Sequence, residues 1–355
     1  MDRTGVGVAP GSQDGEKRGR GDGMRFLIFG AGALGQALGC MLAAAGHHVD
    51  LVLRRRYIDV LKKQGLRVSG IFGDFAAAAG RIGLLEDISA ACVPYDFILI
   101  TTKAYDTGRA VAAIGSLSGC TCPVVSMQNG CGNVEQVLGR FGAERSLGAR
   151  VITGFEIVAP GHIAVTVTAD QVHVGGAVSG PVPPAAEVLA GLIAQAGLPC
   201  CTVSDIHQDL YAKLLYNCTL NPLGAILGVR YGALAEDEGT RAIMDGIIEE
   251  TLAVIRAIGG KTPWPDSGRY KEVFYGRLVP ATANHRPSML QDLENRKPTE
   301  IEALLGFVSA RGREAAVPTH VCDLVADLVR FKERLAHPRP AADAALPVRP
   351  GGARA

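Results

Sequence analysis

From Arg25 the chain alternates short apolar runs with longer stretches in which apolar residues recur every three or four positions. A short run bounded by turn formers reads as a strand buried on both faces, and a 3.6-residue period reads as a helix with one buried side. RFLIF (25–29) is the first such strand, QALGCMLAAAG (36–46) a helix of small residues ending at Gly46, and HVDLVL (48–53) the second strand. That β-α-β order opens a doubly wound parallel sheet. The alternation continues through strand YDFILITT (95–102), helix DTGRAVAAIGSL (106–117), strand CPVVSM (122–127) and helix NVEQVLGRF (133–141). LGARVI, HIAVTV and QVHVGG predict strands, with TGFEIVAPG (153–161) as a loop, before helix PAAEVLAGLIAQAG (184–197) and a last strand at PCCTV (199–203).

After Asp205 the helical period takes over, in HQDLYAKLLYNCTL (207–220), TRAIMDGIIEETLAVIRAIG (240–259), IEALLGFVSARGREA (301–315) and HVCDLVADLVRFKERL (320–335). The fold class expected is α/β: a Rossmann-type doubly wound domain over 24–204, followed by an all-α domain over 205–336. The Gly-rich, charged residues 1–23 and the Pro-rich tail 337–355 carry too little apolar surface to offset ordering, and are expected to be disordered. The N-terminal stretch lacks the apolar segment of a signal peptide, and no run reaches the roughly 18 apolar residues of a membrane span.

Composition narrows the partners. The 355 residues, 48% hydrophobic and 20% charged, suffice for two globular domains. With 36 basic against 35 acidic residues the net charge is +1, so no overall field favours nucleic acid or an anionic membrane, and a small-molecule substrate is expected. Nine scattered cysteines without a CxxC pair read as free thiols in a reducing cytoplasm. Cys120 and Cys122 supply only two ligands, so no metal is expected.

GAGALG, comprising Gly30, Ala31, Gly32, Ala33, Leu34 and Gly35, is a full GxGxxG set between a strand and a helix. Its first glycine permits the tight turn, the second lets a pyrophosphate approach the backbone, and the third lets helix pack on strand. A Gly-rich turn serving packing alone is the bland alternative. The second strand runs into Arg54, Arg55 and Arg56, where an NAD-preferring protein would carry a carboxylate. A guanidinium suits a phosphate, which favours NADPH (NADP+) with Arg54 as its first contact, although three arginines also suit a solvated helix start. Asp50 lies inside the strand, out of reach of a ribose.

In KLLYNCTLNPLG, Lys213, Asn217 and Asn221 recur every fourth residue, within an arc of roughly 80° on a helix, so one face of an apolar segment is polar. Pro222 removes one hydrogen bond and is expected to kink that helix. Downstream, Ser288 and Glu300 start two helical segments, and the local reading makes Ser288 an N-cap with Asp292 in its first turn and Glu300 an N-terminal charge.

GAGALG, QNG (128–130), KLLYNCTLNPLG and SMLQD followed by PTEIE resemble, in order and approximate spacing, the ketopantoate reductase family over residues 24 to about 335. The resemblance implies NADPH-dependent reduction of 2-dehydropantoate to pantoate, a step of pantothenate biosynthesis, in a cleft between a Rossmann domain and a helical domain. It makes Lys213 the proton donor to the C2 oxygen and Asn217 and Asn221 substrate contacts. Asn129 meets both cofactor and substrate, Lys103 meets the cofactor, Ser288 binds the substrate carboxylate, and Glu300 closes the site near the lysine. The chain departs from the family's usual pattern at Phe155, Tyr231, His285 and Leu305, which leaves open a different 2-oxo acid. A cofactor-binding module without turnover is a third reading, against which the proton donor speaks. No sustained heptad seam declares an oligomer, although the helical domain could support a homodimer.

Overall fold

The apolar runs pair into two sheets. The structure, a computed structural model, describes residues 23–336, so the disorder expected for both termini lies outside the described residues, Gly23 apart. The strands are β1 (Arg25–Phe29), β2 (His48–Val52), β3 (Leu66–Gly70), β4 (Phe75–Ala77), β5 (Ile82–Leu85) and β6 (Phe97–Ile100). They continue with β7 (Val124–Ser126), β8 (Ser146–Arg150), β9 (Thr153–Ala159), β10 (His162–Thr168), β11 (Val172–Gly176) and β12 (Cys200–Thr202). The first five helices are α1 (Ala33–Ala44), α2 (Arg55–Gln64), α3 (Thr107–Gly115), α4 (Asn133–Phe141) and α5 (Pro184–Gln195). A helical domain follows: α6 (Ile206–Leu227), α7 (Tyr231–Leu234), α8 (Glu238–Ala257), α9 (Ser267–Val273), α10 (Val279–Ala281), α11 (Ser288–Glu294), α12 (Leu305–Glu314) and α13 (His320–Ala336).

The main sheet has eight strands in the order β12-β11-β8-β7-β6-β1-β2-β5, parallel throughout except where β11 runs against β8. Successive residues of β1 point to opposite faces. Phe26 and Ile28 join a core with Leu38 and Met41 of α1 and Leu189 of α5, whereas Leu27 and Phe29 join a core with Ile114 of α3 and Val137 of α4. Helices therefore cover both faces, which is why the strand reads as an unbroken apolar run. Each such buried side chain contributes about 1.5–3 kcal/mol. In the helical domain α6 is central, with Leu214, Leu215, Cys218 and Leu220 buried and α8, α11 and α13 packed around it.

Several expectations are corrected. TGFEIVAPG is not a loop: Thr153–Ala159 forms β9, paired antiparallel with β10 in a second sheet of order β4-β3-β10-β9. Its residues are partly or fully exposed, and an edge strand with little buried surface leaves no alternating signature. IEALLGFVSARGREA is not one helix, because a 3₁₀ turn at Ile301–Ala303 precedes a break at Leu304 (φ −106°, ψ −105°) and α12 starts only at Leu305. Helix α2, absent from the pattern, buries only Ile58 and Leu61. Helix α6 runs through Pro222 to Leu227, seven residues beyond the apolar period at Leu220.

Candidate active site

Strand β1 sits where the strand order reverses, with β2 on one side and β6 on the other, and ligands of doubly wound folds bind outside the carboxyl ends of strands at such a point. Four predicted groups emerge there: Gly30 after β1, Arg54 after β2, Lys103 after β6 and Asn129 after β7. The glycines divide by role. Gly30 takes φ +115°, and a β-carbon on it would lie 2.6 Å from the Thr102 nitrogen. One on Gly35 would lie 2.0 Å from the Gly30 carbonyl oxygen, so both glycines permit close packing. A β-carbon on Gly32 would meet nothing within 4 Å. Gly32 also caps α1 without any side-chain hydrogen bond, so its open side and the first N–H groups of the helix suit a pyrophosphate. Buried Gln36 steadies the turn by donating from Nε2 to the Ala31 carbonyl at 2.8 Å.

Arg54 precedes α2 and is exposed, next to the glycine turn through the bond from Gly30 N–H to the Val52 carbonyl at 3.2 Å. Arg55 pairs with Glu86 at 3.1 Å, and Arg56 lies over the Tyr57 ring, which leaves Arg54 as the arginine of the three without a side-chain hydrogen bond, ion pair or ring contact among the described residues. Asp50 accepts from the Tyr95 hydroxyl at 2.7 Å within the strand.

Helix α6 brings Lys213 to the same place. Its Nζ donates to Asn129 Oδ1 at 2.6 Å and to the Val151 carbonyl at 2.5 Å. The Asn129 amide is oriented from its other end, where Nδ2 donates to Glu300 Oε2 at 3.2 Å. Glu300 is buried and also accepts from the Ala104 N–H at 3.0 Å and from Lys103 Nζ at 3.4 Å. Lys103 in turn donates to Asp292 Oδ2 of α11 at 2.8 Å. Glu300 thus contacts Lys213 through Asn129 and pairs directly with Lys103. The local reading holds for its position, since Glu300 precedes the 3₁₀ turn Ile301–Ala303, but its carboxylate makes no capping bond there.

Burial is the dominant influence on Lys213 and pulls its pKa down to about 8; Arg150 pushes the same way, and Glu300 opposes both. Arg150 is buried at the end of β8, paired with Asp170 at 2.8 Å and 3.9 Å from Asp209, one helical turn before Lys213. Burial also depresses Lys103, but Glu300 and Asp292 outweigh it and leave the pKa raised. Asp292 is raised chiefly by burial, with Lys103 pulling against it and Glu300 adding to it.

Ser288 is the first residue of α11 and not its cap. Asn221 does that work, its Oδ1 accepting from the Met289 N–H at 3.0 Å while its Nδ2 donates to Ser288 Oγ at 3.0 Å. The Asn217 side chain makes no hydrogen bond among the described residues and stays partly exposed. Asp292 and Arg150 were not assigned to the site from sequence. Both left a trace there: Asp292 stands one helical turn after Ser288, and Arg150 is a lone charge inside an apolar strand, which demands a partner. Of the four departures, Leu305 and Tyr231 are core residues of the helical domain, Phe155 is partly buried, and His285 is exposed with its ring against Tyr231. Cys120 and Cys122 stand Sγ to Sγ at 3.5 Å, and among the described residues no group of three His, Cys, Asp or Glu has the arrangement of a metal site.

Comparisons with known proteins agree with this geometry. Residues 26–178 match the family described as ketopantoate reductase PanE/ApbA, and 205–333 match its C-terminal part. The chain is 36% identical over 311 residues to the 2-dehydropantoate 2-reductase of Aquifex aeolicus, covering 87% of this chain and 97% of that protein. It is 30% identical to the enzyme of the same name from Mesorhizobium japonicum, over 86% of this chain and 97% of that one. The crystal structure of a PanE/ApbA family ketopantoate reductase from Ralstonia eutropha JMP134 superposes with a TM-score of 0.77 at 30% identity, over 88% of this chain and 99% of that one. A D-mandelate dehydrogenase solved with NADH and anilino(oxo)acetate gives a TM-score of 0.77 at 25% identity, over the same 88% and 99%. The glycine turn, the half-buried lysine and the helical half that delivers it thus stand in a chain that belongs to the ketopantoate reductase family and is an oxidoreductase.

Proposed function

We propose that this protein reduces 2-dehydropantoate to pantoate, with NADPH as reductant and Lys213 as proton donor. One observation carries the reading: the Lys213 ammonium directs two of its three N–H groups at Asn129 and Val151. That leaves a third donor for a substrate oxygen. The Gly30–Gly35 turn, the N-terminus of α1 and Arg54 would hold the cofactor, which supplies hydride to C2 of the 2-oxo acid when bound. As C2 is reduced, charge develops on its oxygen. The third N–H of Lys213 stabilises that charge and then delivers the proton. A pKa near 8 suits the task, since the ammonium is populated at neutral pH and gives up its proton readily.

Glu300 acts by holding Asn129 in the orientation that presents its oxygen to Lys213, and by pairing with Lys103, which keeps one donor free beside the cofactor turn. Ser288 accepts from Asn221, so its own hydroxyl hydrogen remains available to a substrate carboxylate. Asn221 therefore places Ser288, and Asn217 offers an amide to the substrate.

A second reading keeps the chemistry and changes the acid. It is favoured by the likeness to a D-mandelate dehydrogenase and by the partly buried Phe155. NADPH consumption by the purified protein against a panel of 2-oxo acids separates the two. Turnover of 2-dehydropantoate above the other acids supports the first reading, preference for an aryl 2-oxo acid the second, and tight NADPH binding without any turnover defeats both. Lys213→Ala should keep NADPH binding and lose about 10²–10⁴ in kcat. Arg54→Ala should erode the preference for NADPH over NADH; a preference left intact moves the phosphate contact elsewhere.

A further inference from the structure

Behind the proton donor stands a ring of four polar side chains that the reaction leaves without a task. Arg150 ends β8 with its side chain only 10% exposed, and its Nη2 donates to Asp170 Oδ2 at 2.8 Å. Its Nε stands 3.9 Å from Asp209 Oδ1 of α6 and makes no hydrogen bond among the described residues. His173 of β11 lies directly opposite Arg150 across the β8–β11 ladder and meets the same two carboxylates. Its Nδ1 is 3.0 Å from Asp209 Oδ2, and its Nε2 is 3.4 Å from Asp170 Oδ2. Arg150 and His173 thus alternate with two acids in a ring that ties β8 and β11 to the start of α6. A buried guanidinium is costly to keep unless it has work to do.

The residues that flank this ring are the ones Lys213 uses. Val151, whose carbonyl accepts from Lys213 Nζ at 2.5 Å, is the next residue after Arg150, and Lys213 itself lies one helical turn after Asp209. The Val151 peptide belongs to neither sheet: β8 pairs with β7 only as far as Gly148 and with β11 as far as Arg150, and pairing of β9 begins at Thr153. Its carbonyl accepts no backbone hydrogen bond among the described residues. What holds it is the buried Val151 side chain and the anchored Arg150 before it. We propose that Arg150 is a positioning residue for the proton donor: clamped by Asp170, Asp209 and His173, it fixes the Val151 carbonyl against α6, so that the third N–H of Lys213 points at the substrate oxygen. The inference rests on the reading of Lys213 as proton donor. Electrostatics agree with the geometry, since burial lowers the Lys213 pKa most, Glu300 opposes it, Arg150 adds to the lowering and Cys131 opposes.

The test is the pH profile of kcat, with KM for NADPH, for the 2-oxo acid that the full chain turns over fastest. Arg150→Met keeps an unbranched side chain without the charge. It should lower kcat about 10–100-fold, leave KM for NADPH unchanged and move the inflection to higher pH. Arg150→Lys restores the charge but not the planar fork, and should bring the inflection back while kcat recovers only in part. Should Arg150→Met fail to fold, Asp209→Asn decides: it keeps the shape of the side chain, loosens Arg150 from α6 and should lower kcat at least about threefold at unchanged KM for NADPH. A folded Arg150→Met protein with wild-type kcat and inflection, or Asp209→Asn with wild-type kcat, overturns the positioning role. A lowered melting temperature with an unchanged profile does the same, and marks Arg150 as structural only. Lys213→Ala keeps the two levels apart. If it is inactive while Arg150→Met is indifferent, the positioning role alone falls; if it turns over like wild type, the proton-donor reading falls and this inference with it.

Discussion

Lys213 sets the terms at the scale of single residues. Sequence placed 213, 217 and 221 on one helical face, and the structure divides their work: Lys213 faces Asn129, Asn217 stays unpartnered among the described residues, and Asn221 caps α11. The proton affinity of the lysine could not be read from the chain, because it depends on burial and on Arg150 and Glu300, which lie far away in sequence. A folded pKa of about 8 lies below the ordinary lysine value of 10.5, so unfolded chain binds the proton more tightly. The charged lysine therefore destabilises the fold below about 8, and the penalty is relieved as pH rises from there towards 10.5. The catalytic consequence has the opposite sign for the two reaction directions. On the proposed mechanism reduction needs the ammonium, so its kcat should fall with a single inflection near pH 8, while alcohol oxidation needs the neutral amine and should rise through the same pH. Glu300→Gln removes the influence that raises the lysine and should move both inflections to lower pH. Profiles in the two directions with no shared inflection, or one indifferent to Glu300→Gln, would separate Lys213 from the proton.

Among elements, the glycine turn was the most legible, since its sequence states both the bend and its position between β1 and α1. What the motif leaves unstated is which glycine serves packing and which faces the ligand. Gly35→Ala drives a methyl group against the Gly30 carbonyl oxygen and Thr101 Oγ1, at 2.0 and 2.5 Å, and should lower stability by about 1–3 kcal/mol. Gly32→Ala meets no protein atom within 4 Å and should leave thermal unfolding of the free protein unchanged while weakening NADPH binding. Thermal melts with and without NADPH check both: a destabilised Gly32→Ala protein, or one that binds as tightly as wild type, contradicts the assignment of its open side to phosphate. Strands buried on both faces were equally legible, because a continuous apolar run admits little else at that length. β9 was not, since an edge strand with exposed residues carries no period, and neither was the break at Leu304, which interrupts a sequence that reads as unbroken helix.

For the whole molecule, the Lys103 cluster ties the two halves together, joining the end of β6 to Asp292 of α11 and to Glu300. Lys103→Met leaves those carboxylates facing each other without their cation. The loss should be about 1–3 kcal/mol, less than the ~3–5 for a fully buried pair because the Lys103 side chain is 37% exposed. Since burial and Glu300 already raise Asp292, the variant's stability should fall as pH rises through the carboxylate range, as denaturant melts at pH 5 and pH 8 would record. Equal stability of variant and wild type at both values would mean that the cluster does not hold the halves together. The sequence by itself determined the doubly wound sheet, the glycine turn, the helical second half and the polar face of α6, because each is encoded by residue spacing within a few turns of chain. Only the tertiary structure decided that Glu300 reaches Lys213 through Asn129, that Asn221 caps α11, that Arg150 stands behind the lysine, and which apolar side chains of α13 remain outside. Those are contacts between residues tens to nearly two hundred positions apart. Local period carries no information about them, and burial, which sets proton affinities and leaves faces exposed, exists only once the chain has packed.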